Sequence, residues 1–158
     1  MRLPEENHKN EQYFFTKATQ DNIIEICSNL RNIAFLCCPS LSLRHELSSR
    51  EDIKFFDIDA RFNSIEYFDI SNPKYVGEFD LVVIDPPFFN LSLKKMRKAI
   101  LSLLNYNFQK KLLITYLIRR EKVLLRVFTG FDLKLTGYAE YNNVDRSVRN
   151  KIGIYRNF

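Results

Sequence analysis

Apolar residues recur along this chain in two rhythms, one helical and one extended. In residues 18–30, Ala18, Ile23, Ile26, Cys27 and Leu30 share one helical face, with Thr16 placed to cap the helix. Residues 33–38 (IAFLCC) form a continuous apolar run ended by Pro39, the pattern of a strand covered on both faces. A short helix is expected over 42–51, and strands over 53–59 and 65–70. The strongest strand signal is FDLVVID (79–85), stopped by Pro86 and Pro87. Residues 91–106 set Leu93, Met96, Ile100, Leu103 and Leu104 against a face bearing Lys94, Lys95, Arg97 and Lys98, which predicts an amphipathic helix. A strand follows at 111–117, a helix at 119–128, and two strands, 131–141 and 151–158, close the pattern.

This order predicts an α/β fold: a mostly parallel sheet, helices on both faces, and an antiparallel C-terminal strand pair. No linker or repeat divides it, so residues 1–158 read as a single domain, with 1–15 as an N-terminal lid segment or a staple onto the core. In such sheets ligands bind beyond the carboxyl ends of the strands. The positions to inspect are therefore Cys38, Pro39 and Ser40, then Asp57 and Asp59, Asp69, and Asp85 to Phe88.

Composition narrows the chemistry. At 158 residues with 46% hydrophobic and 27% charged content, the chain is an ordinary globular domain. It lacks any apolar run near the ~18 residues of a membrane span, and MRLPEENHKNEQ has no signal-peptide core. The expected location is the cytoplasm, with the nucleus or nucleolus as alternatives. Three cysteines without a CxxC pair, and two histidines, leave few ligands for a metal, so none is expected. Charge is split: residues 1–90 carry net −6 and residues 91–158 net +11, within an overall +5. The basic part invites a polyanion, RNA foremost, although a merely solvated face has the same charge.

Asp85-Pro86-Pro87-Phe88 has a specific chemical logic. The prolines remove two backbone donors and fix an extended turn, so an aspartate carboxylate and a proline carbonyl form a pair of acceptors. Such a pair grips the hydrogens of an amino group and aims its lone pair at an electrophile, while Phe88 offers a face for stacking. That is the arrangement of amino-group methyltransferases that use S-adenosylmethionine. A cosubstrate of this kind needs a strand-end acid for its ribose. Asp57, Asp59 and Asp69 are three candidates for about two roles, the remainder being turn or cap residues. Cys38-Pro39-Ser40 stands where a glycine-rich loop is usual, and no GxGxxG occurs anywhere.

Four motifs in order, Gln12-Tyr13-Phe14-Phe15, Cys37-Cys38-Pro39-Ser40, Asp59-Ala60-Arg61-Phe62 and Asp85-Pro86-Pro87-Phe88, resemble the probable N6-adenine methyltransferase family over nearly the whole chain. The resemblance implies a Rossmann-like class I methyltransferase, S-adenosylmethionine as cofactor, and catalysis by Asp85, Pro86, Pro87 and Phe88. Two branches compete. His45-Glu46-Leu47, Asp57-Ile58-Asp59 and residues 138–143 echo the CCHC zinc-finger enzyme that methylates adenine N6 in ribosomal RNA. Tyr67-Phe68-Asp69, Asn72-Pro73 and Phe79-Asp80 echo the enzyme that methylates a lysine of elongation factor 1-alpha. The acceptor is then ribosomal RNA or a translation factor, with an accessory subunit as a further partner. A fold that has lost catalysis and only binds RNA is the third reading. Tyr13 and Phe88 are the expected stacking residues, and Phe14 is a further expected substrate contact. Lys94, Lys95, Lys98, Arg119, Arg120, Arg146, Arg149 and Lys151 are the expected phosphate contacts.

Overall fold

The computed structural model describes residues 4–145, 147 and 150–158. Seven strands form one sheet in the order β3-β2-β1-β4-β5-β7-β6. These are β1 (Ile33–Leu36), β2 (Ile53–Asp57), β3 (Ile65–Tyr67), β4 (Leu81–Ile84), β5 (Lys111–Leu117), β6 (Lys134–Ala139) and β7 (Ile152–Arg156). The first five pair in parallel, and β7 runs antiparallel between β5 and β6. Every expected strand is present, mostly trimmed by a few residues at its ends. The exception is β5, whose seven residues, KLLITYL, match the expectation at both ends.

The apolar runs explain the layering. β1 and β4 are buried at all four positions, as a central parallel strand covered on both faces must be. One face is covered by α3 (Leu93–Leu103), which sends Leu93, Met96, Ala99, Ile100 and Leu103 into a core with Ala34, Val82, Ile84 and Leu112. The other is covered by α1 (Lys17–Cys27), whose Ile23 and Cys27 meet Phe35, Leu81 and Val83. The Thr16 hydroxyl accepts the Thr19 N–H at 3.3 Å and caps α1 as expected. The helix expected over 42–51 is instead a 3-10 turn, Pro39–Leu43, followed by one helical turn, α2 (His45–Ser48). Pro39 opens that 3-10 turn, and the Ser42 hydroxyl donates back to its carbonyl at 2.7 Å. The helix expected over 119–128 likewise begins as a 3-10 turn before α4 (Glu121–Val127). No helix among the described residues is long and apolar enough to cross a membrane.

Strand order reverses between β1 and β4, since β2 lies on one side of β1 and β4 on the other. The carboxyl ends of β1, β2 and β4 thus open beside one another, and the chemistry-bearing residues gather there.

Candidate active site

Two clefts meet at the end of β4. The first, about 180 Å³, is lined by Cys37 after β1, Asp57 and Ile58 after β2, Phe68, Asp69, Ile70 and Ser71 after β3, and Asp85, Pro87, Asn90 and Leu91 after β4. Its remaining wall is Asn10 to Tyr13, part of an N-terminal strap. The second, about 300 Å³, lies between Tyr13, Phe88, Phe89, Leu117, Arg119 and Tyr141. Glu11 and Tyr13 belong to both.

Asp85 lines the first cleft and is hydrogen-bonded to Tyr141 of the second. Its Oδ1 accepts the Thr115 hydroxyl from β5 and the Tyr141 hydroxyl from just beyond β6, each at 2.5 Å. Oδ2 accepts no hydrogen bond from the described residues. Among the described residues no cation pairs with this carboxyl group, and desolvation pushes its pKa up to about 7, against the opposing pull of the two hydroxyls. Burial and the Asp85 carboxyl raise the Tyr141 phenol well above its ordinary range, so it remains a donor. Pro86 is buried beneath the turn, and its carbonyl accepts no bond from the described residues. Phe88 stands edge-on to Tyr116, with ring centroids 5.5 Å apart, and Arg120 donates to the Phe88 carbonyl at 3.1 Å.

The strand-end acids separate into different roles. Asp57 is 8% exposed, accepts the Asp59 N–H at 2.9 Å, and has its pKa raised by burial. Asp69 lines the same cleft and accepts the Ser71 N–H at 2.9 Å. Asp59 turns away into an ion pair with Arg61 at 2.7 Å and accepts the Gln12 amide at 2.8 Å. The Arg61 guanidinium holds the Asp59 carboxyl at about 2 despite desolvation. Gln12, Asp59 and Arg61, drawn from two sequence motifs, thus form one knot that ties the strap to the end of β2.

The turn after β1 differs in register from the expectation. Cys38, Pro39 and Ser40 are buried and do not line the cleft, whereas Cys37 does. Cys37 has φ 57°, the left-handed conformation that favours glycine, so the sharp turn of a glycine loop is made by a cysteine. Burial, with Asp57 and Asp85 nearby, drives its thiol far above the ordinary range and leaves it neutral.

Of the expected acceptor contacts, Tyr13 and Arg119 line the second cleft, while Phe14 is 8% exposed and packs edge-on to Phe62. Lys151 lies over the Tyr138 ring at 4.2 Å. Lys94, Lys95 and Lys98 are exposed on the outer face of α3, outside both clefts. Arg146 and Arg149 lie outside the described residues. Sequence reasoning missed Thr115, Tyr141 and Glu11.

The model of the family described as probable N6-adenine methyltransferase matches residues 6–158. The chain belongs to this family. Its fold is shared by solved structures at low identity. One is a Pyrococcus horikoshii protein assigned as an RNA methyltransferase (TM-score 0.63, 14% identity, covering 96% of this chain and 88% of that one). Another is the N-methyltransferase NodS from Bradyrhizobium japonicum in complex with S-adenosyl-L-homocysteine (0.61, 13%, 97% and 91%). A third is an S-adenosylmethionine-dependent methyltransferase from Clostridium acetobutylicum (0.60, 12%, 89% and 90%). No curated protein matches the sequence.

S-adenosylmethionine is the cofactor that this family and fold imply, and the first cleft suits it. Ile58, Phe68, Ile70 and Leu91 offer apolar surface for an adenine. Asp57, buried and without a paired cation among the described residues, has the acceptor chemistry that ribose hydroxyls need. The cleft is smaller than the ~300–1,000 Å³ usual for small-molecule sites, and the strap is the wall that narrows it.

Proposed function

We propose that this methyltransferase transfers a methyl group to adenine N6 in RNA, with ribosomal RNA as the leading substrate. The observation that carries the reading is the second cleft. Tyr13, Phe88, Phe89 and Tyr141 give it aromatic walls suited to a flat base, Arg119 borders it, it shares Glu11 and Tyr13 with the first cleft, and its Tyr141 donates to Asp85. The family's own description supports adenine as the acceptor.

In this reading the first cleft holds S-adenosylmethionine through Asp57 and Asp69 and the apolar residues beside them. When bound, it supplies an electrophilic methyl group. Thr115 and Tyr141 fix Asp85 through Oδ1, which leaves Oδ2 free to accept an amine hydrogen. The unpaired Pro86 carbonyl is the second acceptor. Once the nitrogen is alkylated, Asp85 Oδ2 takes the proton it sheds, and a pKa near neutrality suits that transfer. The base reaches this point unpaired or flipped from its stack, at a cost of a few kcal/mol. Phe88 and Tyr13 offset part of that cost by stacking. The exposed cations of α3 and the Arg119–Arg120 turn hold the backbone without reading sequence.

The test is methyl-labelled S-adenosylmethionine supplied to the purified protein with cellular RNA and protein fractions. Label recovered as N6-methyladenosine is expected. Label in lysine establishes the protein-methyltransferase reading instead. Cofactor-independent RNA binding with no transfer establishes the RNA-binding module.

A further inference from the structure

The strap is fastened at its centre by an unusual contact. Glu11 lies at φ 51°, ψ 34°, a left-handed backbone conformation uncommon for a glutamate. From there its carboxylate accepts two consecutive backbone N–H groups of the turn after Asp85-Pro-Pro. Phe89 N–H donates to both carboxylate oxygens, at 3.1 and 3.0 Å, and Asn90 N–H donates to Oε1 at 2.5 Å. Beside this pair the Arg119 guanidinium lies over the Phe89 ring, 5.7 Å from its centroid. Adjacent amides converging on one point form an anion-binding concavity, here filled by an anion of the protein itself.

We propose that the Phe89–Asn90 amide pair is the seat of a phosphate of the acceptor nucleic acid, and that Glu11 plugs it until the acceptor arrives. The inference rests on the RNA reading above. Glu11 borders both clefts, so an acceptor entering the second cleft toward Asp85 passes it. A backbone phosphodiester carries the same single negative charge as a carboxylate and two non-bridging acceptor oxygens for these amides, and the Arg119 guanidinium beside Phe89 is at hand for it. Displacement of Glu11 also removes the carboxylate tie between strap and turn and leaves the Asn90 side-chain amide, which donates to the Lys9 carbonyl at 3.2 Å, so acceptor arrival loosens the cleft wall. A polyanion held off by Glu11 gains access by offering an anion of its own to the same two donors, with Arg119 beside them.

The experiment follows the Phe89 and Asn90 amide resonances of the full chain during titration with inorganic phosphate, for the wild type, Glu11→Ala and Glu11→Gln. Saturable shifts of these two resonances are expected in both variants and at much higher phosphate in the wild type. Affinity for an RNA oligomer is expected to rise in the variants by about tenfold, equivalent to about 1.4 kcal/mol. Phosphate is expected to compete with that oligomer. Glu11→Gln keeps a neutral acceptor for the strap and so controls against loss of folding. Shifts absent from both variants overturn the proposal. So does displacement of phosphate by S-adenosylhomocysteine alone, since the amides then serve the cofactor's carboxylate. RNA methylation by the wild type without phosphate binding removes this inference and leaves the function standing. Phosphate binding without RNA methylation removes the function and leaves the anion site.

Discussion

Asp59 and Asp85 are both aspartates at the carboxyl edge of one sheet, and their environments drive them in opposite directions. Asp59 meets a guanidinium and an amide, and its carboxyl group is held at about 2. Asp85 meets only hydroxyls among the described residues, in a desolvated site, and is pushed up to about 7. A carboxylate saturated by a charged partner becomes a structural fastening, permanently ionised and with little acceptor capacity to spare. One held by neutral donors through a single oxygen remains titratable and keeps its other oxygen for a substrate. The division of labour along this edge is set by what surrounds each acid.

The contrast breaks most sharply at Asp85. Asp85→Asn keeps the shape but loses the charge, and a hydrogen bond to a charged group is worth about 1.5–3 kcal/mol. Methyl transfer is expected to fall roughly 10- to 150-fold at about 1.36 kcal/mol per decade, and Asp85→Ala further, with cofactor affinity little changed. The same Asn variant should melt at a higher temperature. The raised pKa of Asp85 means that its contribution to stability is fully present below the unfolded value and is lost as pH climbs through about 7. At neutral pH the wild type bears that loss, at most about 4 kcal/mol for about three pKa units. An Asn variant that is as active as the wild type, or less stable, removes the distinction between the two acids.

Asp59→Asn tests the other side. The lowered pKa of Asp59 contributes stability above the unfolded value that is lost as pH falls through about 2. Its removal should cost about 2 kcal/mol at neutral pH, read from chemical denaturation. It should also loosen the strap, seen as faster amide exchange at residues 10–13 and weaker cofactor binding, while turnover at saturating cofactor is nearly retained. The opposed signs place the maximum of the two acids' joint contribution near pH 4. Asp85→Asn flattens the decline above that pH, and Asp59→Asn the decline below it.

A finer test uses Tyr141. Its hydroxyl stabilises the ionised Asp85, so Tyr141→Phe should shift the acid limb of the kcat/KM profile to higher pH by less than about one unit, worth about 1 kcal/mol. Activity at neutral pH drops a few-fold and returns as pH rises. A loss equal at all pH values assigns Tyr141 to packing alone.

These environments differ in how far the sequence disclosed them. The apolar runs of β1, β4 and β5 are dictated by burial on both faces, and local pattern reveals them. The Asp85-Pro-Pro-Phe turn is legible because its chemistry is contiguous. Thr115 and Tyr141 are 30 and 56 residues from Asp85, and nothing local marks either hydroxyl as its partner. Asp59 was indistinguishable from Asp57, because the choice between cleft and knot depends on where Gln12 and Arg61 arrive. The turn after β1 was read one residue late, since a left-handed cysteine carries no signature like that of glycine. The cations of α3 were legible as an exposed face, but charge alone does not say that this face lies outside both clefts.

The position of β7 bears on how the protein is made. β7 is later in sequence than β6 yet lies inside it, and among the described residues β7 is the sole sheet neighbour of β6. On a ribosome, β1 to β5 emerge first and pair among themselves, whereas β6 has no place in the sheet until Ile152–Arg156 has been added. Tyr141 belongs to the connection between those two strands. In the nascent chain Thr115 is therefore in place on β5 before Tyr141 completes the pair of hydroxyls on Asp85.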